Sequence, residues 1–346
     1  GRNASWARVS KYRRRRYCRH SYRRPQMWTI VAAVLIAVAL YVVENYGGNG
    51  FVPSWDQIYQ WVGLEPSQSE TTAPLPEGET EVVFLDVGQG DAVLILQNGA
   101  ACLIDAGPKD ARQNLVQDLR SYGVSQLDLV MTHPHADHVG GMQAVLQNFD
   151  VQTLLTPDLS ETDVTGQTQR TLQTAQECGV PVETAYTGQQ YTIGTGTLTV
   201  LLPGVDADTA GSDDAINDMS LCLRFEAGNF TFLDTGDAER NEEAALAEQY
   251  PFRLRSTVFK AGHHGSSTSN TQTLLWQVQP QLVVASCGLN NDYGHPHREV
   301  IQEMQDEGID FYRTDLYGTV TVTAQADGSF TVQTAKQPDE ELAPAA

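Results

Sequence analysis

A chain of 346 residues suffices for one large domain or two ordinary ones. Residues 1–43 hold ten of its 22 Lys and Arg residues and no acid, so the other 12 cations face all 43 acids and leave −31 on the remainder. That balance excludes a domain built to coat long duplexes, which needs many cations, and the five cysteines lack the C-x-x-C spacing of a cysteine metal site.

Residues 1–26 form a basic segment, followed at 27–43 by an uncharged apolar stretch of 17 residues. At ~1.5 Å rise per residue this is at the short end of what crosses a bilayer. Trp28 and Tyr41 sit near its ends, where amphipathic rings favour the interface. We expect one N-terminal transmembrane helix over 27–43, with the basic segment cytoplasmic and the acidic remainder exported. The protein is then a single-pass cell-membrane protein with an extracytoplasmic domain, its ten cations able to touch anionic lipid. Residues 44–80 are rich in Pro, Gly, Ser and Thr and read as a linker.

From residue 81 short apolar runs alternate with turn residues. E-V-V-F-L-D, A-V-L-I-L-Q and A-C-L-I-D-A-G predict three successive strands. A helix over 112–122, a strand L-D-L-V-M-T and a helix over 141–149 follow. Further strands are expected near 190–202, 220–226, 230–234, 256–260 and 281–286, with helices at 239–249 and 271–278. A hairpin closes around Ala326-Asp327-Gly328, and 336–346 is an acidic tail. This order suits a layered α/β domain over 81–335 in which two sheets pack between helices. Cys102, Cys222 and Cys287 lie in apolar runs and read as buried free thiols.

Chemistry concentrates in three histidine clusters. In T-H-P-H-A-D-H-V-G-G, alternate side chains of an extended loop share a side, so His133 and His135 grip one metal ion while Asp137 and His138 face a second. Imidazole and carboxylate suit zinc, manganese or iron, and two divalent ions at such spacing activate water and stabilise an in-line displacement. Asp237 in L-D-T-G-D is the candidate carboxylate shared by both ions. In K-A-G-H-H-G-S-S, one of His263 and His264 is expected to complete the His133/His135 site, leaving the other free to act as general acid or to hold substrate. In Y-G-H-P-H, His295 completes the Asp137/His138 site and His297 is exposed. Asp86, Asp91 and Asp105 end or follow strands and are expected to orient ligands. Asn217, Ser220 and Ser266 are candidate substrate-binding residues.

L-D-V-G-Q-G-D, L-I-D-A-G, T-H-P-H-A-D-H-V-G-G, N-D-M-S-L, T-G-D, K-A-G-H-H-G-S and Y-G-H-P-H occur in that order. Together they resemble the extracellular hydrolase domain of ComEC-type competence (DNA-uptake) proteins, a branch of the metallo-β-lactamase superfamily. The resemblance implies an αββα sandwich with two divalent ions, zinc or manganese, at one edge, and hydrolysis of a phosphodiester such as nucleic acid. Wall phosphorylcholine esterases resemble this fold too; by analogy with them His264 binds metal and His263 is catalytic, beside catalytic Asp237. A channel needs many membrane segments, so DNA transport is not expected of this chain. The charge of −31 repels a polyanion beyond the screening distance of ~8–10 Å, and few cations, chiefly Arg224, Arg253, Arg255, Lys260 and Arg298, are expected to contact phosphates. Small phosphodiesters, single-strand ends or envelope polymers fit better. The alternatives are a cell-envelope phosphate-ester esterase and a noncatalytic envelope or DNA-binding module.

Overall fold

Successive residues of the first strands bury opposite faces: Val82 and Phe84 enter one apolar cluster, Val83 and Leu85 another. A strand buried on both sides belongs in the middle of a layered structure. The computed structural model describes residues 75–160, 162, 164–202 and 213–338. Its strands are β1 (Thr80–Phe84), β2 (Val93–Gln97), β3 (Ala100–Ile104), β4 (Gln126–Val130), β5 (Asp150–Thr156), β6 (Val182–Thr184), β7 (Gln190–Ile193) and β8 (Gly196–Leu202). After these come β9 (Cys222–Ala227), β10 (Phe230–Asp234), β11 (Val258–Lys260), β12 (Leu282–Ala285), β13 (Asp310–Arg313), β14 (Val320–Ala324) and β15 (Phe330–Thr334).

One sheet runs β15-β14-β1-β2-β3-β4-β5-β6 and the other β13-β12-β11-β10-β9-β8-β7. Their inner faces meet in a core that includes Phe225, Phe230 and Ile95, with Phe84 edge-on to Phe232 at 5.7 Å. Helices Arg112–Ser121 and Met142–Asn148 cover the first sheet through Leu115, Leu119, Val145 and Leu146. Helices Arg240–Gln249, Gln272–Val278 and Arg298–Asp306 cover the second through Leu246, Leu274, Val300 and Met304. The result is the expected pair of sheets between helical layers.

Strands β3 to β6 are parallel to one another, as are β10 to β13. Their carboxyl ends therefore deliver Asp105, Thr132, Asp234, Lys260 and Ser286 to one edge, the usual place for a ligand in such sheets. The hairpin turn at Gly194 splits the expected 190–202 strand into β7 and β8. Helix Gly166–Cys178 escapes an apolar-pattern reading because its buried face is Thr168, Thr171, Thr174 and Ala175. The expected membrane helix at 27–43, the basic segment, the linker up to residue 74 and the tail from 339 lie outside the described residues. Among the described residues no helix is long and apolar enough to cross a membrane. Cys102, Cys222 and Cys287 are buried and free, and Cys178 is exposed and free.

Candidate metal centre

The His133–His138 loop leaves β4 and is clamped from below by the 88–91 turn. Asp91 N–H donates to the Asp137 carbonyl at 3.2 Å, and a Cβ on Gly90 would collide with that same carbonyl. The two motifs L-D-V-G-Q-G-D and H-P-H-A-D-H are thus one packed unit. His138 then opens onto a short helix, Ala136–Val139, with its ring fully buried.

Asp237 stands at the centre. Its Oδ2 lies 3.3 Å from His138 Nε2 and 3.4 Å from His264 Nε2, and 3.8 Å from both His133 Nε2 and His263 Nε2. Asp137 Oδ2 approaches His264 Nε2 at 3.2 Å. His133 Nε2 and His135 Nδ1 converge to 3.0 Å. One carboxylate oxygen thus lies within 3.8 Å of four imidazoles; beside it Asp137 pairs with His264, and His135 pairs with His133, whose ring is 4.1 Å from that of His138.

The other nitrogen of each buried ring is engaged from behind. His138 Nδ1 is 2.7 Å from Asp105 Oδ2, and Asp105 also accepts from Thr132 N–H and its hydroxyl. His264 Nδ1 faces Asp91 Oδ1 at 3.1 Å and the Ser286 carbonyl at 3.0 Å. His133 Nδ1 meets the hydroxyls of Thr132 at 3.1 Å and Ser220 at 3.3 Å. A ring so held presents its remaining nitrogen to a metal ion with its orientation fixed.

Beneath Asp91 is a group the sequence did not reveal as buried. Lys260 is 0% exposed, with Nζ 2.5 Å from Asp91 Oδ2 and 3.7 Å from Asp234 Oδ1. It cannot serve as a phosphate contact, because its charge is spent inside the domain. Arg224 likewise donates to the Arg255 carbonyl and pairs with Glu226.

Burial by itself would raise the carboxylates. The Lys260 ammonium and then His264 nevertheless hold Asp91 well below the usual carboxylate range. Against the same burial, His138 and then His264 hold Asp137 and Asp237 low. Burial would lower the imidazoles, yet Asp237 with Asp105 raises His138, and Asp237 with Asp91 raises His264. His133 goes the other way, lowered by burial and by His138. Burial lifts Asp234 to about 7 despite Lys260.

These residues fit a metal. His138 Nε2, His264 Nε2 and Asp237 Oδ1 are buried without a hydrogen-bond partner, a costly state unless an ion receives them. Ligand atoms of Asp91, His138, Asp237 and His264 all lie within 4.8 Å of one another. Asp91 nonetheless faces Nδ1 of His264 and is bound by Lys260, so we place it behind the ligand and Asp137, facing Nε2, in the ligand position.

The remaining candidates sort by geometry. His264 sits with Asp137 and His138, where sequence reasoning had put it with His133 and His135. His295, 6% exposed, stacks on His264 at a centroid distance of 6.1 Å and meets His263 edge-on at 5.3 Å. Burial and then His264 lower it to about 4. It flanks the His264 side of the cluster, with no described contact to Asp137 or His138. His297 is half-buried, bonding Ser267 N–H and the Tyr293 carbonyl, rather than exposed. Ser220 joins the cluster, accepting from Asp237 N–H at 3.0 Å. Asn217 contacts Glu239 at 3.4 Å beside it. Ser266 is 2% exposed and bonds Thr268 within its own turn. Asp86 pairs with Lys336 away from the site, whereas Asp105 and Asp91 take the orienting positions. Glu239, 3.3 Å from His263 Nδ1, and Thr268, 3.3 Å from the same atom, escaped the sequence reading, since nothing in their local pattern marks them.

The two-sheet fold, with this His/Asp centre at the carboxyl ends of its strands, defines the class: a metallo-β-lactamase-superfamily domain. Residues 85–176 match the metallo-beta-lactamase superfamily model. The chain is related to ComEC-type competence proteins. It is 33% identical over 71% of its length to ComE operon protein 3 of Bacillus subtilis, covering 33% of that protein. It is 34% identical over 71% of its length to competence protein ComA of Neisseria gonorrhoeae, covering 32% of it. Recombination protein 2 of Haemophilus influenzae is 29% identical over 70% of this chain and 28% of its own length. The chain thus spans about a third of the length of these relatives.

Proposed function

We propose that this domain is a two-metal phosphodiesterase, tethered to the outer face of a cell membrane by residues 27–43. The observation that carries the reading is Asp237, whose one oxygen lies 3.3–3.8 Å from four imidazole nitrogens, those of His133, His138, His263 and His264. A carboxylate in that position suits two ions, zinc or manganese, held by His133 and His135 on one side and Asp137, His138 and His264 on the other. Bound there, divalent ions supply Lewis acidity and an activated water. The relatives' names, competence and recombination proteins, support a phosphodiester and nucleic acid in particular.

The chain's own groups do the rest. Asp105, Asp91, Thr132 and Ser220 fix the ligand rings so that little reorganisation accompanies reaction. His263, with a side chain 20% exposed, stands at the mouth of the cluster. Glu239 and Thr268 hold its Nδ1, leaving Nε2 to deliver a proton to the leaving oxygen.

The test uses protein stripped of metal and reloaded separately with Mn or Zn, assayed on a chromogenic phosphodiester, a phosphocholine ester and a lactam. Turnover of the diester on reloading, with about two ions per chain, is the expected result. Asp237→Ala should reduce that turnover by more than the ~100-fold ceiling for residues that merely orient ligands. Loaded protein inert toward every diester, with Asp137→Ala leaving DNA binding unchanged, would instead mark a binding module. Protease accessibility of the domain on intact cells checks the tether.

A further inference from the structure

Between β12 and helix Arg298–Asp306 a loop carries a tyrosine that the centre described above does not use. Tyr293 is 68% exposed, yet its ring is not loose. It stacks on His295 at 5.6 Å with planes 23° apart, and His295 stacks in turn on His264 at 6.1 Å and 26°. An aromatic ladder therefore runs from solvent to a metal-binding imidazole.

The backbone that presents this ring is pinned. Asn291 Oδ1 accepts from Tyr293 N–H at 3.2 Å and from His295 N–H at 3.0 Å, while its amide donates to the Gly288 and His295 carbonyls. His297 reaches the Tyr293 carbonyl at 3.2 Å, and Gly288 N–H donates to Gln89 Oε1 at 3.0 Å. A ring already held in place loses little freedom when a ligand covers it.

Charge shows why such a surface is needed. Lys260 is sealed beneath Asp91, and the chain beyond residue 43 carries −31, so backbone phosphates find few cations here. A strand approaching the site has to be held by the ions at one phosphate and by contacts indifferent to charge elsewhere. Base stacking on an aromatic ring is such a contact, and it tolerates any sequence. A quaternary ammonium, by contrast, is best bound by several rings around it. The other large exposed apolar residue of this loop is Leu289, at 61%.

Resting on the phosphodiesterase reading, we propose that Tyr293 is a specificity-determining residue that stacks the nucleobase next to the scissile phosphate. The substrate class is then single-stranded nucleic acid, whose bases are free to stack.

The test compares wild type, Tyr293→Ala and Tyr293→Trp, all metal-loaded. Substrates are a single-stranded oligonucleotide, the same strand made abasic on either side of the cut, a ring-free glycerophosphodiester and a phosphocholine diester. Tyr293→Ala should lower kcat/KM on the intact strand about 5- to 100-fold, the worth of one stacked base. On the abasic strand and the ring-free diester its effect should stay below about twofold, since the contact is already missing. Tyr293→Trp should restore the intact strand, and metal affinity by calorimetry should be the same in all three. Equal loss on the ring-free diester would reveal a structural role through His295 and overturn the proposal. So would an unchanged intact strand, or a loss confined to the phosphocholine diester. If wild type cleaves the ring-free diester but not the oligonucleotide, this proposal falls and the phosphodiesterase reading stands; if it cleaves neither, both fall.

Discussion

The two sides of Asp237 differ in what stands behind each imidazole. On one side His138 and His264 are 0% and 2% exposed, and each has a carboxylate at its far nitrogen, Asp105 at 2.7 Å and Asp91 at 3.1 Å. On the other, His133 leans on the hydroxyls of Thr132 and Ser220, and His135 is half-buried. A carboxylate behind an imidazole makes the opposite nitrogen more basic than a hydroxyl does. If two ions bind as proposed, their positions should therefore be unequal, the one at His138 and His264 tighter, the one at His133 and His135 weaker and exchangeable.

The largest effect expected is on the foundation of the tight side. Lys260→Met strips the ammonium from two buried carboxylates, Asp91 and Asp234, and should cost about 3–5 kcal/mol of stability in denaturant titrations of metal-free protein. An unchanged midpoint would mean the tight side is not built on that ion pair. Next, Asp105→Asn should weaken the tighter ion ~10–100-fold by calorimetry, and the weaker ion less, since Asp105 reaches His133 only through Thr132. Equal loss at both positions would erase the inequality.

Protons sharpen the comparison further. His138 and His264 are raised by neighbouring carboxylates and so carry protons in the metal-free centre near neutral pH. An ion displaces those protons, so its affinity should rise with pH and level off above the raised values, by up to about tenfold per pH unit for each proton released. His133, lowered by burial and by His138, is already neutral. His133 should thus take up an ion without releasing a proton of its own, unlike His138 and His264, a difference that calorimetry in buffers of different ionisation enthalpy reads. Smallest of all, Ser220→Ala, which frees His133 Nδ1 and the Asp237 N–H, should weaken metal binding by less than about tenfold.

The sequence made the His133–His138 loop legible because four side chains of metal-binding type in six residues carry their geometry with them. The strands around it were readable for the same local reason: E-V-V-F-L-D and F-T-F-L-D show their burial in their composition. What stayed hidden depended on distant contacts. Lys260 ends an apolar strand and reads as a surface cation; only the approach of Asp91, 169 residues away in sequence, buries it. The partner of His264 turned on a backbone conformation that residue types do not announce. Asp86 and Asp91 share one motif, yet the Gly88–Gly90 turn sends Asp91 to the centre and leaves Asp86 to Lys336.

That backbone conformation has its own consequence. His263 and His264 both adopt left-handed angles, with φ of 50° and 55°, immediately before Gly265 at 83°. Side chains other than glycine are disfavoured there by about 1–2 kcal/mol. At His263, whose side chain is partly exposed, glycine should relax the chain and make the metal-free domain slightly harder to unfold. A copy of this domain relieved of its chemistry would drift toward glycine at 263, so a histidine persisting there across descendants is a signature of selection for activity over robustness.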